Sequence, residues 1–458
     1  MRVIYDGAFS NLALRSALRE FPLERRDRAF ATRLTYGTLT WHGYIDAVLN
    51  AMLPKGIASI PAEAACHLRV AMYQLLKDRE HTPVHAAIDE CVELVGAVEA
   101  NLRGLTNGVL RNFERGREDI LEKVAETHPV ESKLSLSTEV AGELFRRVGE
   151  TQAHAIMERW NDATPVVIRS RTGDREGLAA LLQAEEGASA TPHPLVPDAL
   201  TFHGDIRTVV SHGNAVSVQD AGAQLVAYTL PPGLTGTVVD ACAGFGGKTL
   251  HLLDQLPDAD VVAADIDKRK LARIPDPDDE ERLTRLPGDM SVYAGAEALA
   301  LHAMQANIES GYDAVVIDAP CSALGTLGRH PEVRWRRTED DVDSLSRIQR
   351  NLLKTLAPLV REGGYLVYIV CTFTEAETLT QVDRFLQTHP DFILSPPDKE
   401  SADPRIDWPA LLAADQTISL WPEPHQTDGF FIARFQKVAR EAEDIMDEAE
   451  DEDEATDF

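Results

Sequence analysis

The apolar positions of this chain change period along its length. From residue 1 to about 128 they recur at helical spacing: Leu68, Met72, Leu75 and Leu76 form one stripe, and Ile88, Cys91, Val92 and Val95 another. Such spacing marks one buried face of a helix, and no alternating strand-like run interrupts it. Residues 1–128 are therefore predicted to be an all-helical domain. From His128-Pro129 to about 235 the pattern becomes mixed, with a helix over 138–148, a short apolar run at Val166 to Ile168 and a Pro/His-rich break at 191–197. This reads as a small connecting α/β region, 129–235. After Pro231-Pro232-Gly233 come four strand candidates, Thr237 to Asp240, Val261 to Asp265, Ala314 to Asp318 and Tyr365 to Val370, separated by helical or turn segments. Strand–helix alternation predicts a parallel sheet, here in a domain spanning 236–438. Residues 439–458 form an acidic run expected to be a disordered tail.

Candidate chemistry lies at the ends of those strands. Cys321 follows Asp318-Ala319-Pro320, and Cys371 follows Tyr368-Ile369-Val370, so both thiols are expected to face one cleft. The run 240–249, Asp-Ala-Cys-Ala-Gly-Phe-Gly-Gly-Lys-Thr, sits between a strand and a helix-like stretch, Leu250 to Leu256. It fails the dinucleotide pattern because Thr249 occupies the last glycine position, and it fails the P-loop because Cys242 stands where the first glycine belongs. What remains is a tight glycine turn where a cofactor can approach the backbone, unless the turn is purely structural. Asp265 ends the next strand, the usual place for a carboxylate on ribose hydroxyls. These features suggest an adenosine cofactor without a pyrophosphate, which S-adenosyl-L-methionine fits. Ligands of open parallel sheets bind outside the carboxyl ends of the strands, so loop and thiols describe one site for thiol-assisted group transfer.

The remaining cysteines, Cys66, Cys91 and Cys242, read as packing residues, and no Cys/His spacing marks a metal site. Between the two candidate thiols, residues 329–337 are the most basic stretch of the catalytic half and include Trp335; they read as a surface for RNA phosphates and a stacked base. Basic residues also cluster at the start of the helical domain, at Arg15, Arg19, Arg25, Arg26, Arg28 and Arg33, as either an RNA surface or a solvated helix face.

Composition pulls the other way. The 458 residues carry a formal net charge of −29, which argues against phosphate contacts. The tail holds eleven acids and one arginine, a net −10, so the rest of the chain still carries −19. An acidic surface spread over a well-patterned chain suits a salt-rich environment, whose ions screen self-repulsion. No stretch approaches the roughly 20 apolar residues of a membrane span, and the amino terminus has no signal-peptide pattern, so a cytoplasmic location without membrane contact is expected.

The motifs in combination resemble the Sun (Fmu) family of bacterial ribosomal RNA cytosine-5 methyltransferases. The resemblance rests on 240–249, Ala-Asp-Ile-Asp at 264–267, Asp-Ala-Pro-Cys-Ser at 318–322, Arg-His-Pro-Glu-Val-Arg-Trp at 329–335, Tyr-Ile-Val-Cys-Thr at 368–372 and Asp-Gly-Phe-Phe at 428–431. The segments 28–39 and 107–111 look like the NusB-type RNA-binding domain attached to bacterial members. The resemblance implies an all-α NusB-like amino-terminal domain, a small α/β connecting domain and a Rossmann-like α/β methyltransferase domain dependent on S-adenosyl-L-methionine. It implies Cys371 as nucleophile on carbon 6 of a cytosine, Cys321 assisting proton removal and enzyme release, and Asp318 holding the cytosine edge. It assigns the cofactor to Cys242, Ala243, Gly244, Phe245, Gly246, Gly247, Lys248, Asp265, Asp289 and Asp318. The expected partner is small-subunit ribosomal RNA rather than DNA, bound by a monomer. A DNA-type assignment would make Cys321 the nucleophile but needs a Glu-Asn-Val motif that is absent; the other alternative is a non-catalytic RNA-binding or ribosome-assembly factor. Three positions depart from the family: Gly244-Phe245 replaces Ala-Pro, Val370 replaces a Thr, and the segment after Asp265 is short, with Pro275 and Pro277 breaking the usual helix.

Overall fold

The computed structural model describes residues 1–162, 164–275 and 280–439. The expected tail, from 440 onward, and Pro277 lie outside the described residues. The chain divides into two compact units: one of 1–164 with 326–337, the other of 165–325 with the residues from 338 onward. The stretch read as one connecting region, 129–235, is thus shared between them.

The first unit is helical. Helix Ala62–Lys77 buries Leu68, Met72, Leu75 and Leu76, and helix Val84–Val98 buries Ile88, Cys91 and Val95, on the faces their spacing marks. Tyr44, Ile45, Val48 and Leu49 of helix His42–Met52 and Val109, Leu110 and Phe113 of helix Arg103–Arg115 complete this core. Each fully buried large apolar side chain contributes about 1.5–3 kcal/mol, and that burial rather than helix propensity holds the bundle. Helices Pro129–Leu134, Thr138–Val148 and Glu150–Asn161 continue the unit.

Residues 326–337 return to this unit from the middle of the catalytic sequence. Arg334 is fully buried there, and its guanidinium donates to the carbonyls of Trp160 (2.8 Å), Leu327 (3.3 Å) and Ser135 (3.4 Å) and to Asn161 Oδ1. A Cβ added at Gly43 would meet the Trp335 ring at 2.2 Å, so that ring packs directly on the helix backbone. Arg336 donates to the carbonyls of Gly7 (3.0 Å) and Ala8 (2.9 Å). The basic stretch expected to meet RNA is therefore structural at Arg334 and Trp335: its charge is spent on main-chain carbonyls that need donors once buried.

The second unit holds two sheets. Strands β1 (Val166–Ser170), β2 (Ser189–Pro192), β3 (Ala199–His203) and β4 (Val216–Val218) form an antiparallel sheet in the order β2-β3-β1-β4. Arg169 and Arg171 of this segment reach Asp254 at 2.7 and 3.0 Å, fixing it to helix Gly247–Gln255.

The larger sheet contains β5 (Thr237–Asp240), β6 (Asp260–Asp265), β7 (Leu283–Pro287), β8 (Tyr312–Asp318), β9 (Val360–Val370), β10 (Phe392–Leu394), β11 (Ile418–Leu420) and β12 (Phe430–Lys437). Its order is β10-β12-β9-β8-β5-β6-β7, with β11 also paired to β12. The run from β7 to β9 is parallel and β12 is antiparallel to β9. Both faces are covered: Val238, Val261 and Ala263 join one core, Val239, Val262 and Ala264 the other. Two-sided burial is why these strands are continuous apolar runs rather than alternating ones. The sheet has a switch point at β5, whose neighbours β6 and β8 lie on opposite sides, and ligand crevices form at such points.

Candidate active site

Four adjacent strands present functional groups at their carboxyl ends. β6 ends on Asp265, β5 on Asp240, β8 on Asp318, and β9 on Val370 directly before Cys371.

The turn from β5 into helix Gly247–Gln255 needs its glycines. Gly244 (φ +57°) and Gly246 (φ +83°) occupy the left-handed region, where a side chain is strained. A Cβ at Gly246 would also lie 2.7 Å from Ile274, whereas at Gly244 and Gly247 nothing stands within 4 Å. The loop thus exposes backbone to open space at two points. The Gly244 N–H donates to Asp265 Oδ2 and the Asp267 N–H to Asp265 Oδ1, both at 2.8 Å. Two amides orient this carboxylate and leave each oxygen a lone pair for a hydroxyl. The departure at Gly244 therefore gives an ordered turn, while Phe245 points outward, 60% exposed, beneath Lys270 and Arg273. Val370 is fully buried opposite Phe431, so the position carries packing.

Acidity is concentrated here. Burial pushes the Cys242 thiol well above its ordinary range, and Asp318, Asp240, Asp265 and Asp289 push it the same way. Burial likewise raises Asp240 to about 6, although Thr249 Oγ1 donates to it at 2.6 Å. Asp289 is oriented by the N–H (2.9 Å) and hydroxyl (2.6 Å) of Ser291. Four carboxylates about a glycine loop, with open space beside its backbone, fit a cationic sulfonium carrying ribose hydroxyls; the residues present suit S-adenosyl-L-methionine.

Lys248 holds Asp318: its Nζ lies 2.5 Å from Asp318 Oδ2. Burial opposes its charge, but Asp318, with Asp240 and Cys371, keeps the ammonium above its ordinary range. The two candidate thiols meet, with Cys321 Sγ 3.3 Å from Cys371 Sγ, and both are free. The hydrogen bond between them, then burial, pushes the Cys321 thiol well up.

The loops bearing these thiols share a residue that the sequence did not single out. Glu377 is fully buried, and its carboxylate accepts from the Ser322 N–H (2.8 Å) and hydroxyl (2.5 Å), Thr372 Oγ1 (3.2 Å), Thr374 Oγ1 (2.8 Å) and Gln349 Nε2 (3.0 Å). Ser322 follows Cys321 and Thr372 follows Cys371, so one carboxylate clamps both loops. In sequence the hydroxyls next to each cysteine, Ser322 and Thr372, were the available signal.

Residues 227–436 match the family model described as 16S rRNA methyltransferase RsmB/F, and residues 2–115 match the NusB family. The chain is 33% identical over 426 residues to ribosomal RNA small subunit methyltransferase B of Salmonella arizonae, covering 90% of this chain and 91% of that protein; the Salmonella typhi protein of the same name gives the same figures. In fold it is similar to the crystal structure of PH0851 (TM-score 0.71, 24% identity, 92% of this chain and 93% of that one) and to that of NSun6 from Pyrococcus horikoshii with SFG (TM-score 0.52, 18% identity, 67% and 100%). The chain belongs to the RsmB/F family of 16S rRNA methyltransferases, with a NusB-family domain preceding a Rossmann-like catalytic domain that uses S-adenosyl-L-methionine to methylate ribosomal RNA.

Proposed function

We propose that the methylated atom is carbon 5 of a cytosine in small-subunit ribosomal RNA, and that the reaction passes through a covalent bond between Cys371 and that base. The observation that carries this reading is the 3.3 Å pairing of two free thiols beside the Asp318–Lys248 ion pair. Carbon 5 of cytosine is not nucleophilic until carbon 6 has been attacked, so a nucleophile and a separate proton acceptor are both required. Cys321, raised well above its ordinary range, stays protonated at neutral pH and can donate to the Cys371 sulfur 3.3 Å away. Lys248 places an ammonium close enough to interact with Cys371.

Cys371 sulfur adds to carbon 6, and the electron pair of the 5,6 double bond moves into the ring. The Asp318 carboxylate holds the ring nitrogen edge, accepting a hydrogen bond from the nitrogen as it takes up a proton from solvent and so neutralises the charge there. S-adenosyl-L-methionine supplies an electrophilic methyl group when bound in the glycine loop, and Gly244, Gly247, Asp265 and Asp289 would hold it. Cys321, once its own proton has passed to solvent, then accepts the carbon 5 proton; the ring nitrogen releases the proton it took up, the 5,6 double bond reforms and the carbon 6–sulfur bond breaks, returning Cys371 as thiolate. Bisulfite mapping of small-subunit ribosomal RNA from strains with and without the gene tests this: one cytosine should lose protection when the gene is deleted and regain it with the wild-type gene. Unchanged protection at every cytosine would overturn the cytosine-5 assignment.

A further inference from the structure

The catalytic unit carries a basic groove on the outside of its sheet that the reaction above does not use. Helix Glu339–Leu356 and helix Leu379–Thr388 border a cavity of about 270 Å³ lined by Arg350, Lys354, Arg384 and His389 over Leu353 and Phe385. Arg347, Arg350 and Lys354 recur at i, i+3 and i+7, so they share one face of their helix with the groove. Arg347, Lys354 and Arg384 are exposed, Arg350 is half-buried, and Arg350 Nε is buried without a hydrogen-bond partner. Among the described residues none of these four cations has an ion-pair partner, although the exposed acids Asp340, Asp343 and Asp383 lie on the same two helices. Burial, then the charges of Arg384 and Arg347, pushes the Arg350 guanidinium down, as expected of cations crowded together. The His389 ring stacks on Phe385 at 4.4 Å, which makes the floor flat and aromatic.

On a chain of net charge −29, three unpaired cations line one cavity, Arg350, Lys354 and Arg384, with Arg347 beyond it on the same helix face. Like charges held this close repel, and an anion in the groove would relieve the repulsion. We infer that the groove is an RNA-binding site separate from the catalytic cleft, taking backbone phosphates of the ribosomal RNA away from the target nucleotide. The inference rests on ribosomal RNA being the substrate. A polyanion is favoured over a small anion because the cations extend along the helix beyond the cavity, at Arg347, and because apolar floor and basic rim together match the sugar–phosphate edge of a strand.

The test compares Lys354→Gln/Arg384→Gln with a charge-matched control, Arg175→Gln/Lys399→Gln, removing two cations elsewhere on the same unit. Binding of a small-subunit ribosomal RNA fragment is measured across a salt series, alongside kcat and KM for methyl transfer. Each lost phosphate contact should lower the slope of log affinity against log salt by about 0.7–0.9. The groove variant should therefore show a shallower slope and a several-fold higher KM, with kcat at saturating RNA unchanged and the control like wild type. Equal slopes and KM in groove variant and control, with wild type active, would overturn the groove and point to an acidic protein partner instead. Wild type that transfers no methyl to this RNA would overturn the substrate reading, while the slopes would still decide the groove.

Discussion

Glu377 joins the two reacting loops, and its chemistry sets a first expectation at the scale of single residues. Five donors converge on its carboxylate, from Ser322, Thr372, Thr374 and Gln349. Glu377→Gln sets an amide donor against donors, and a lost bond to a carboxylate costs about 1.5–3 kcal/mol. Stability from denaturant titration should fall by at least that amount and kcat should fall with it, because the thiol separation is no longer held; unchanged stability would show that Glu377 is not the clamp. Cys321 gives a second expectation. Its thiol is pushed up by the bond to Cys371 and by burial, so its proton-accepting form grows as pH rises through and above neutrality. The steady-state fraction of RNA trapped on the wild-type enzyme should therefore fall from pH 6 to pH 9, read on denaturing gels. A fraction that rises with pH would remove Cys321 from the release step.

The glycine turn makes the corresponding statement at the scale of an element. Gly246→Ala forces a side chain into the left-handed region, about 1–2 kcal/mol before any clash, and places it against Ile274. Gly247→Ala meets nothing within 4 Å. The first should lower the melting temperature; the second should leave it unchanged yet weaken S-adenosyl-L-methionine in calorimetry, because the methyl occupies the space assigned to the cofactor. Equal affinity in Gly247→Ala would move the cofactor off this face. The elements legible in advance were those whose pattern is dictated by burial. Helix Thr138–Val148 has the predicted bounds, and β5, β6, β8 and β9 cover the four predicted strands, because runs buried on both faces stay apolar throughout. β7, Leu283–Pro287, is only half-buried and contains Thr284 and Arg285, and β10 and β11 span three residues each, too short for a period to show. Asp318 and the thiols were legible from strand ends, whereas the Lys248–Asp318 pair depends on β5 and β8 being neighbours. Segment 329–337 misled at Arg334 because composition records charge, and Arg334 is satisfied by carbonyls of Ser135 and Trp160, distant in sequence.

For the whole molecule, charge is the dominant quantity. A net −29 makes the folded chain repel itself, and raising ionic strength from 0.1 M to 1 M shortens the screening length from about 10 Å to about 3 Å. Melting temperature should therefore rise with potassium chloride over this range, while RNA affinity falls as released counterions lose their advantage. A maximum of stability in dilute buffer would count against an acidic surface suited to salt. The opposing trends also predict that activity peaks at intermediate salt. Basic groups kept in such an acidic chain stand out: buried Arg334 serves the helical unit, and Arg347, Arg350, Lys354 and Arg384 are the groups assigned to RNA.

The division of labour between the two thiols is tested most directly by trapping. Wild type, Cys371→Ala and Cys321→Ala are each incubated with small-subunit ribosomal RNA from a strain lacking the gene, with and without S-adenosyl-L-methionine, and resolved under denaturing conditions. Cys371→Ala should give neither methyl transfer nor a shifted band. Cys321→Ala should accumulate a methylated, denaturation-resistant protein–RNA adduct that depends on S-adenosyl-L-methionine, because addition and transfer proceed while the carbon 5 proton leaves slowly. A stable adduct with Cys371→Ala and none with Cys321→Ala would contradict the account.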